Sequence, residues 1–249
     1  MRNSLLTDLP EDILDGLKRL ARPQPLISLL NYYKGVPISY EASLRRFDLN
    51  TATLSVHKHQ AVCLALEGQT CLQSKPLSLA VQASVVAVDV GAGTARLANF
   101  RPAAYTTGRR LAVKPNPDQP VEVEILAQNW TVHGRLEAIS LVSIGIYLPA
   151  SEIFFEPVIV LREDADLRLR LRLPGAEEPV ELAGTVSYGL PQQSDYALRV
   201  KPADEANALK AIQSYILHRH EAAAQELDIV YEQMRHSPPL ADPSAPATS

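Results

Sequence analysis

The side chains best placed for chemistry are cations. Arg101, Arg109 and Arg110 lie in FRPAAYTTGRRLAVKP, residues 100–115, and a serine, Ser140, follows in AISLVSIGI. Clustered positive charge binds anions, and an arginine fork meets phosphate oxygens with two parallel hydrogen bonds. A second basic run, LRLRLRL at residues 167–173, alternates strictly. Arg168, Arg170 and Arg172 therefore share one face of a strand and the leucines share the other. That face is either an anion- or partner-binding strip or a solvated barrel face. Glu177, Glu178 and Glu181 on the next segment favour the second reading, since they can neutralise the arginines across a hairpin. His57, His59, Cys63 and Cys71 are soft ligands close in sequence. His57 and His59 would point the same way on a strand, but the cysteines miss zinc spacing, so no metal site is expected. Glu163, Asp164 and Asp166 read as a solvated loop, and His218, Arg219 and His220 as a solvated face of a helix. Trp130, between two predicted strands, either caps a barrel end or stacks on a ligand. The chain has no G-x-S-x-G elbow, H-E-x-x-H helix or Gly-rich phosphate loop, so neither an enzyme nor a cofactor is expected.

These residues need a scaffold, and the 249-residue chain is long enough for one large domain or two small ones. A net charge of −4 argues against a general binder of nucleic-acid polymers. Two cysteines are too few for a disulfide framework and fit a reducing compartment. The N-terminus turns acidic before any apolar run develops, which is not the pattern of a signal peptide, and no apolar stretch is long enough to span a membrane. A cytoplasmic location follows as an expectation.

The periodicity places the elements. Asp8, Leu9 and Pro10, followed by Glu11 and Asp12, predict a helix start, with Ile13, Leu14, Leu17 and Leu20 on one face, so residues 1–33 form an N-terminal helical segment. From Val36 the period changes to two. Residues 34–100 form a first β module, with an edge strand at Val36, Pro37 and Ile38, a strand over 51–56 and a hairpin of 79–90 with 94–97 around Gly91 and Gly93. Residues 61–66 fit helix or strand equally. Residues 101–110 are a linker. A second β module over 111–202 has strands at 111–114, 121–126, 133–139, 144–148, 167–173, 180–188 and 195–200, a spacing typical of a barrel. Residues 203–236 form a long helix whose seam of Leu209, Ile212, Ile216, Ala223, Leu227, Val230 and Met234 packs on the barrel or zips with a second copy, making a homodimer. The Pro/Ser/Ala-rich tail 237–249 reads as disordered. The fold class is thus mainly β: two small barrel-like modules in tandem, a short N-terminal helical segment and a long C-terminal helix.

Arginines on a linker, a strand ending Val113, Lys114 and Pro115, and Ser140 in a following turn resemble the front half of a PilZ domain, in the two-domain flagellar-brake type. The resemblance implies cyclic di-GMP as ligand. It also implies binding at the linker, and control of motility, secretion or envelope functions through protein contacts. The family pattern pairs R-x-x-x-R on the linker with (D/N)-x-S-x-x-G on the strands. In this chain Gly108 and Ala112 stand at the two arginine positions, with Arg109 and Arg110 as neighbours able to substitute by a shift in register. Ala138 stands at the acid, Ser140 matches, and Ser143 replaces the glycine. Arg109 and Arg110 are then the expected phosphate and base clamps, Ser140 the turn contact and Arg101 a secondary cation. With the motif this eroded, the alternative is a constitutive protein-interaction module that binds no nucleotide.

Overall fold

A computed structural model describes residues 27–48, 51–74, 80–103, 112–126, 131–149, 162–192 and 195–241. The predicted N-terminal helix start, Trp130, Arg109 and Arg110 lie outside these. The chain divides into two units: residues 1–33, 37–110 and 224–249, and residues 34–36 and 111–223.

The first unit is built on strands β1 (Ile27–Tyr33), β2 (Val36–Asp48), β3 (Thr51–Ser55), β4 (Gln69–Gln73), β5 (Val81–Asp89) and β6 (Thr94–Pro102). They pair in the order β5-β4-β1-β2-β3-β6, and β6 pairs back onto β5, which closes the ring. The period-two pattern drives this: Leu29, Leu54, Leu72, Val81 and Leu97 are buried to within 1%. Two expectations change and one ambiguity is resolved. Residues 27–33, assigned to a helical segment, are a strand, because ISLLNYY buries alternate and consecutive apolar residues within the ring. The strand at Val36, Pro37 and Ile38 is no edge, since β2 runs 13 residues between β1 and β3. Pro37 is tolerated as its second residue, where its missing N–H costs least. The ambiguous residues 61–66 belong to helix α1 (Lys58–Glu67), closed by Gly68 at φ 66°.

The second unit holds a closed barrel, in the order β10-β11-β12-β9-β8-β7. Its strands are β7 (Glu122–Leu126), β8 (Thr131–Ser140), β9 (Ser143–Pro149), β10 (Asp166–Leu171), β11 (Val180–Gln192) and β12 (Asp195–Pro202). The predicted strand 111–114 reduces to a single bridge, Val113 to Ile139. The LRLRLRL run behaves as a barrel strand: Leu167, Leu169 and Leu171 enter the core, and Arg170 pairs with Glu181 at 2.7 Å and Glu124 at 2.9 Å. Arg168 and Arg172 are exposed.

Helix α2 (Ala206–Met234) carries the predicted seam. Ala208, Ile212 and Tyr215 join the barrel core of the second unit. Ala223 in that unit and Leu227 in the first are also buried. Of the seam, Ile212, Ala223 and Leu227 are buried within the chain, and Leu209, Ile216, Val230 and Met234 are half-buried. The tail, expected to be disordered from 237, continues as strand β13 (Leu240–Ala241), which pairs with β5 beside Ala87 and Val88. No helix among the described residues is long and apolar enough to cross a membrane.

Candidate ligand-binding site

The approach to the second barrel is pinned at two points. Val113, fully buried, exchanges both backbone hydrogen bonds with Ile139, at 2.9 and 2.8 Å. Lys114 then donates its N–H to Gly35 O at 2.8 Å, and Pro115 prevents further pairing. The buried valine is the anchor, and the exposed lysine beside it is left facing water.

Strand β8 runs one residue past Ile139 to Ser140, which builds the β8–β9 turn. Its hydroxyl accepts from Ser143 N at 3.1 Å and Val142 N at 3.4 Å, and donates to Ser143 O at 3.2 Å. Ser140 thus fixes the turn, and Leu141 and Val142 at the tip are exposed.

On the outer face of the barrel, Ala138, Gly145 and Arg199 form one cross-strand row. Between Leu136 and Ala138 the register shifts by a bulge. Bulges re-aim side chains, and Glu137 reaches across Gly145 to accept from Arg199 Nη2 at 2.8 Å. Both side chains are more than four-fifths buried. A Cβ on Gly145 would collide with Arg199 Nη1 and Glu137 Oε2, so the pair lies directly on the glycine. Tyr147 packs beside it, and burial together with the Glu137 carboxylate raises its hydroxyl above the usual tyrosine range. The row therefore presents a carboxylate and a guanidinium near the position where the sequence pattern expects an acid, although Ala138 itself offers none.

The expected site residues distribute as follows. Ser140 sits one residue beyond the bridge to Val113. Arg101 is exposed near the end of β6, opposite Gln82, in the first unit. Arg109 and Arg110 lie outside the described residues. Glu137 and Arg199 were not foreseen, because a bulge leaves no mark in sequence. Arg219 was read as solvated and is buried at 9% exposure, with His220 half-buried beside it.

A second polar cluster lies in the first unit. His57 is the N-cap of α1, with Nδ1 accepting from His59 N at 3.3 Å, so it does not sit on a strand beside His59. Its ring stacks on Tyr40 at 3.8 Å. Buried His59 bridges Tyr40 OH at 3.1 Å and Asp228 Oδ1 at 2.7 Å, and Lys58 joins Asp228 at 2.5 Å. Hydrogen bonds from Lys58 and His59 hold the Asp228 carboxyl down at about 2. Burial pushes the Cys63 thiol up to about 12, which keeps it protonated. Among the described residues no group of three or more ligating side chains is arranged to hold a metal ion.

No family model matches the chain, and no curated protein matches it. Solved structures do. The chain is similar to the K. pneumonia protein MrkH in complex with c-di-GMP, at 10% identity and a TM-score of 0.43, over 86% of this chain and 95% of that one. It is also similar to Escherichia coli YcgR in complex with c-di-GMP, at 14% identity and a TM-score of 0.40, over 88% and 93% of the two chains. The isolated PilZ domain of E. coli YcgR matches 49% of this chain and 98% of its own, at 16% identity and a TM-score of 0.39.

Proposed function

We propose that the chain is a PilZ-type regulatory protein that responds to cyclic di-GMP and acts through protein contacts. One observation carries the reading: the Val113–Ile139 bridge ties the residue three positions after Arg110 in the sequence to the strand that ends in Ser140. That juxtaposition is what the resemblance requires of a ligand clamp. Arg109 and Arg110 supply forks for the phosphates and the guanine O6/N7 edge. Ser140 holds the β8–β9 turn. The ligand orders the linker by charge-assisted bonds, and the ordered state presents a surface to a partner in motility, secretion or envelope machinery. The protein acts in the cytoplasm.

A second reading also has an observation behind it. Ala138 lacks the acceptor that guanine N–H donors need, and the Ser140 hydroxyl is already engaged within its own turn. A chain that had lost the ligand would keep this geometry and work as a constitutive interaction module.

Titration calorimetry with cyclic di-GMP separates the two. Saturable binding at micromolar concentrations, abolished in the Arg109→Ala/Arg110→Ala double variant, is the expected result. Absence of heat up to about a millimolar, where binding free energy falls to roughly −4 kcal/mol, would overturn the ligand reading in favour of the constitutive one.

A further inference from the structure

Arg219 is the anomaly of the second unit. Arginine is almost never buried without a counter-charge, because stripping water from an uncompensated guanidinium is costly. Yet Arg219 is buried, and no carboxylate among the described residues pairs with it. Its Nη2 donates to Lys34 O at 2.6 Å, its charge partly offsets the burial that raises the Tyr215 hydroxyl, and its Nε is sealed from solvent with no acceptor at all. Its helix neighbours do not help. Glu221 is exposed and, two residues on, cannot face it. Burial and the Arg219 charge together lower His220 below the usual histidine range, as expected where positive potential has no answer.

A second cation converges on the same turn. Lys34 and Gly35 present consecutive carbonyls. Arg219 donates to the first, and the backbone of Lys114 donates to the second. The Lys114 Cβ lies 2.7 Å from where a Cβ on Gly35 would stand, so its exposed side chain starts at the same turn. Lys114 is in turn four and five residues from Arg110 and Arg109.

We propose that Arg219 is an anion-binding residue that takes a phosphate of the cyclic dinucleotide, with Lys114 as its companion cation. The C-terminal helix thereby supplies the guanidinium that the linker lacks at Gly108 and Ala112. The inference rests on the ligand reading above. The anion shares or displaces the bond to Lys34 O and gives the orphaned Nε its acceptor.

The test is calorimetry of Arg219→Gln and Lys114→Ala with cyclic di-GMP, alongside the unchanged protein, at two ionic strengths. Arg219→Gln is expected to bind roughly ten- to a hundredfold more weakly, and both variants to show a flatter salt dependence, which a purely structural arginine would not produce. Equal affinity in Arg219→Gln overturns the inference and leaves the ligand reading standing. If Arg219→Gln does not fold, Arg219→Lys decides, since it keeps the charge and loses the fork: weaker binding supports the contact and unchanged binding overturns it. If the unchanged protein ignores cyclic di-GMP, the ligand reading falls, and pyrophosphate becomes the probe. Stabilisation by pyrophosphate that Arg219→Gln loses supports an anion site, and its absence in the unchanged protein overturns one.

Discussion

At the scale of single residues, Gly35 shows how little freedom the Lys34–Gly35 turn has. Its φ is +83°, in the region that side-chain-bearing residues avoid, and a Cβ there would meet Lys114 Cβ at 2.7 Å and the Lys114 and Pro115 carbonyls at 3.1 and 3.2 Å. Two of those three neighbours are backbone atoms and cannot swing away. Gly35→Ala is expected to cost about 1–3 kcal/mol, read as a lower urea midpoint, and an unchanged midpoint would show that the turn has room for a side chain. Legibility differs sharply among the site residues. Ser140 and Val113 were picked out by the resemblance alone, and the buried bridge that Val113 makes was not foreseen. Arg219 could not, because what buries it is a carbonyl 185 positions away. Glu137 was hidden for a different reason: alternation fixes which face a side chain takes only until a bulge resets the count.

At the scale of elements, alternation made the barrel strands readable, and its absence caused the misreadings. Helix α1 was ambiguous because His59 through Leu64 are all buried, and an element buried on every side shows no period. Strand β4 was missed because QTCLQ buries only Thr70 and Leu72, and one apolar residue on the core face makes no pattern. The α1 cap now carries a pH dependence. Burial, with His59 and Lys58 adding to it, lowers the pKa of His57 in the folded state, and its neutral Nδ1 is the acceptor that caps the helix. A base whose folded pKa is depressed contributes stability above its unfolded value, near 6.5, and loses it as pH falls towards the folded value. His220 is shifted in the same direction by burial and Arg219. Melting temperature is therefore expected to drop between pH 7 and pH 5. His57→Asn, a good cap that does not titrate, should remove part of that drop, and His57→Asn/His220→Gln most of it. Asp228 contributes only in a lower window, with stability lost as pH falls below about 3.8 towards its folded value of about 2. A slope unaltered by the double substitution would mean that these two imidazoles do not govern the transition.

At the scale of the whole molecule, the question is what the long helix leaves for other molecules. Its heptad-like seam suggested a second copy because periodicity shows that a face is apolar and never what covers it. Ile212 and Leu227 are fully buried within the chain, and a zipper built on them would first have to pull both from their packing, at about 1.5–3 kcal/mol for each. The large apolar residues that α2 does expose are Leu217 and Ile229. They are 12 positions apart, which places them about 18 Å apart along the axis and about 120° apart around it, so they form no stripe. Two isolated residues do not make the contiguous apolar core of a stable interface. Light scattering coupled to size exclusion is therefore expected to give the monomer mass of 27.3 kDa at tens of micromolar protein. A mass near twice that, reduced to the monomer by Leu217→Ser or Ile229→Ser, would show that the exposed side of the helix is an interface after all. A doubled mass unaffected by either substitution would place the contact on another surface.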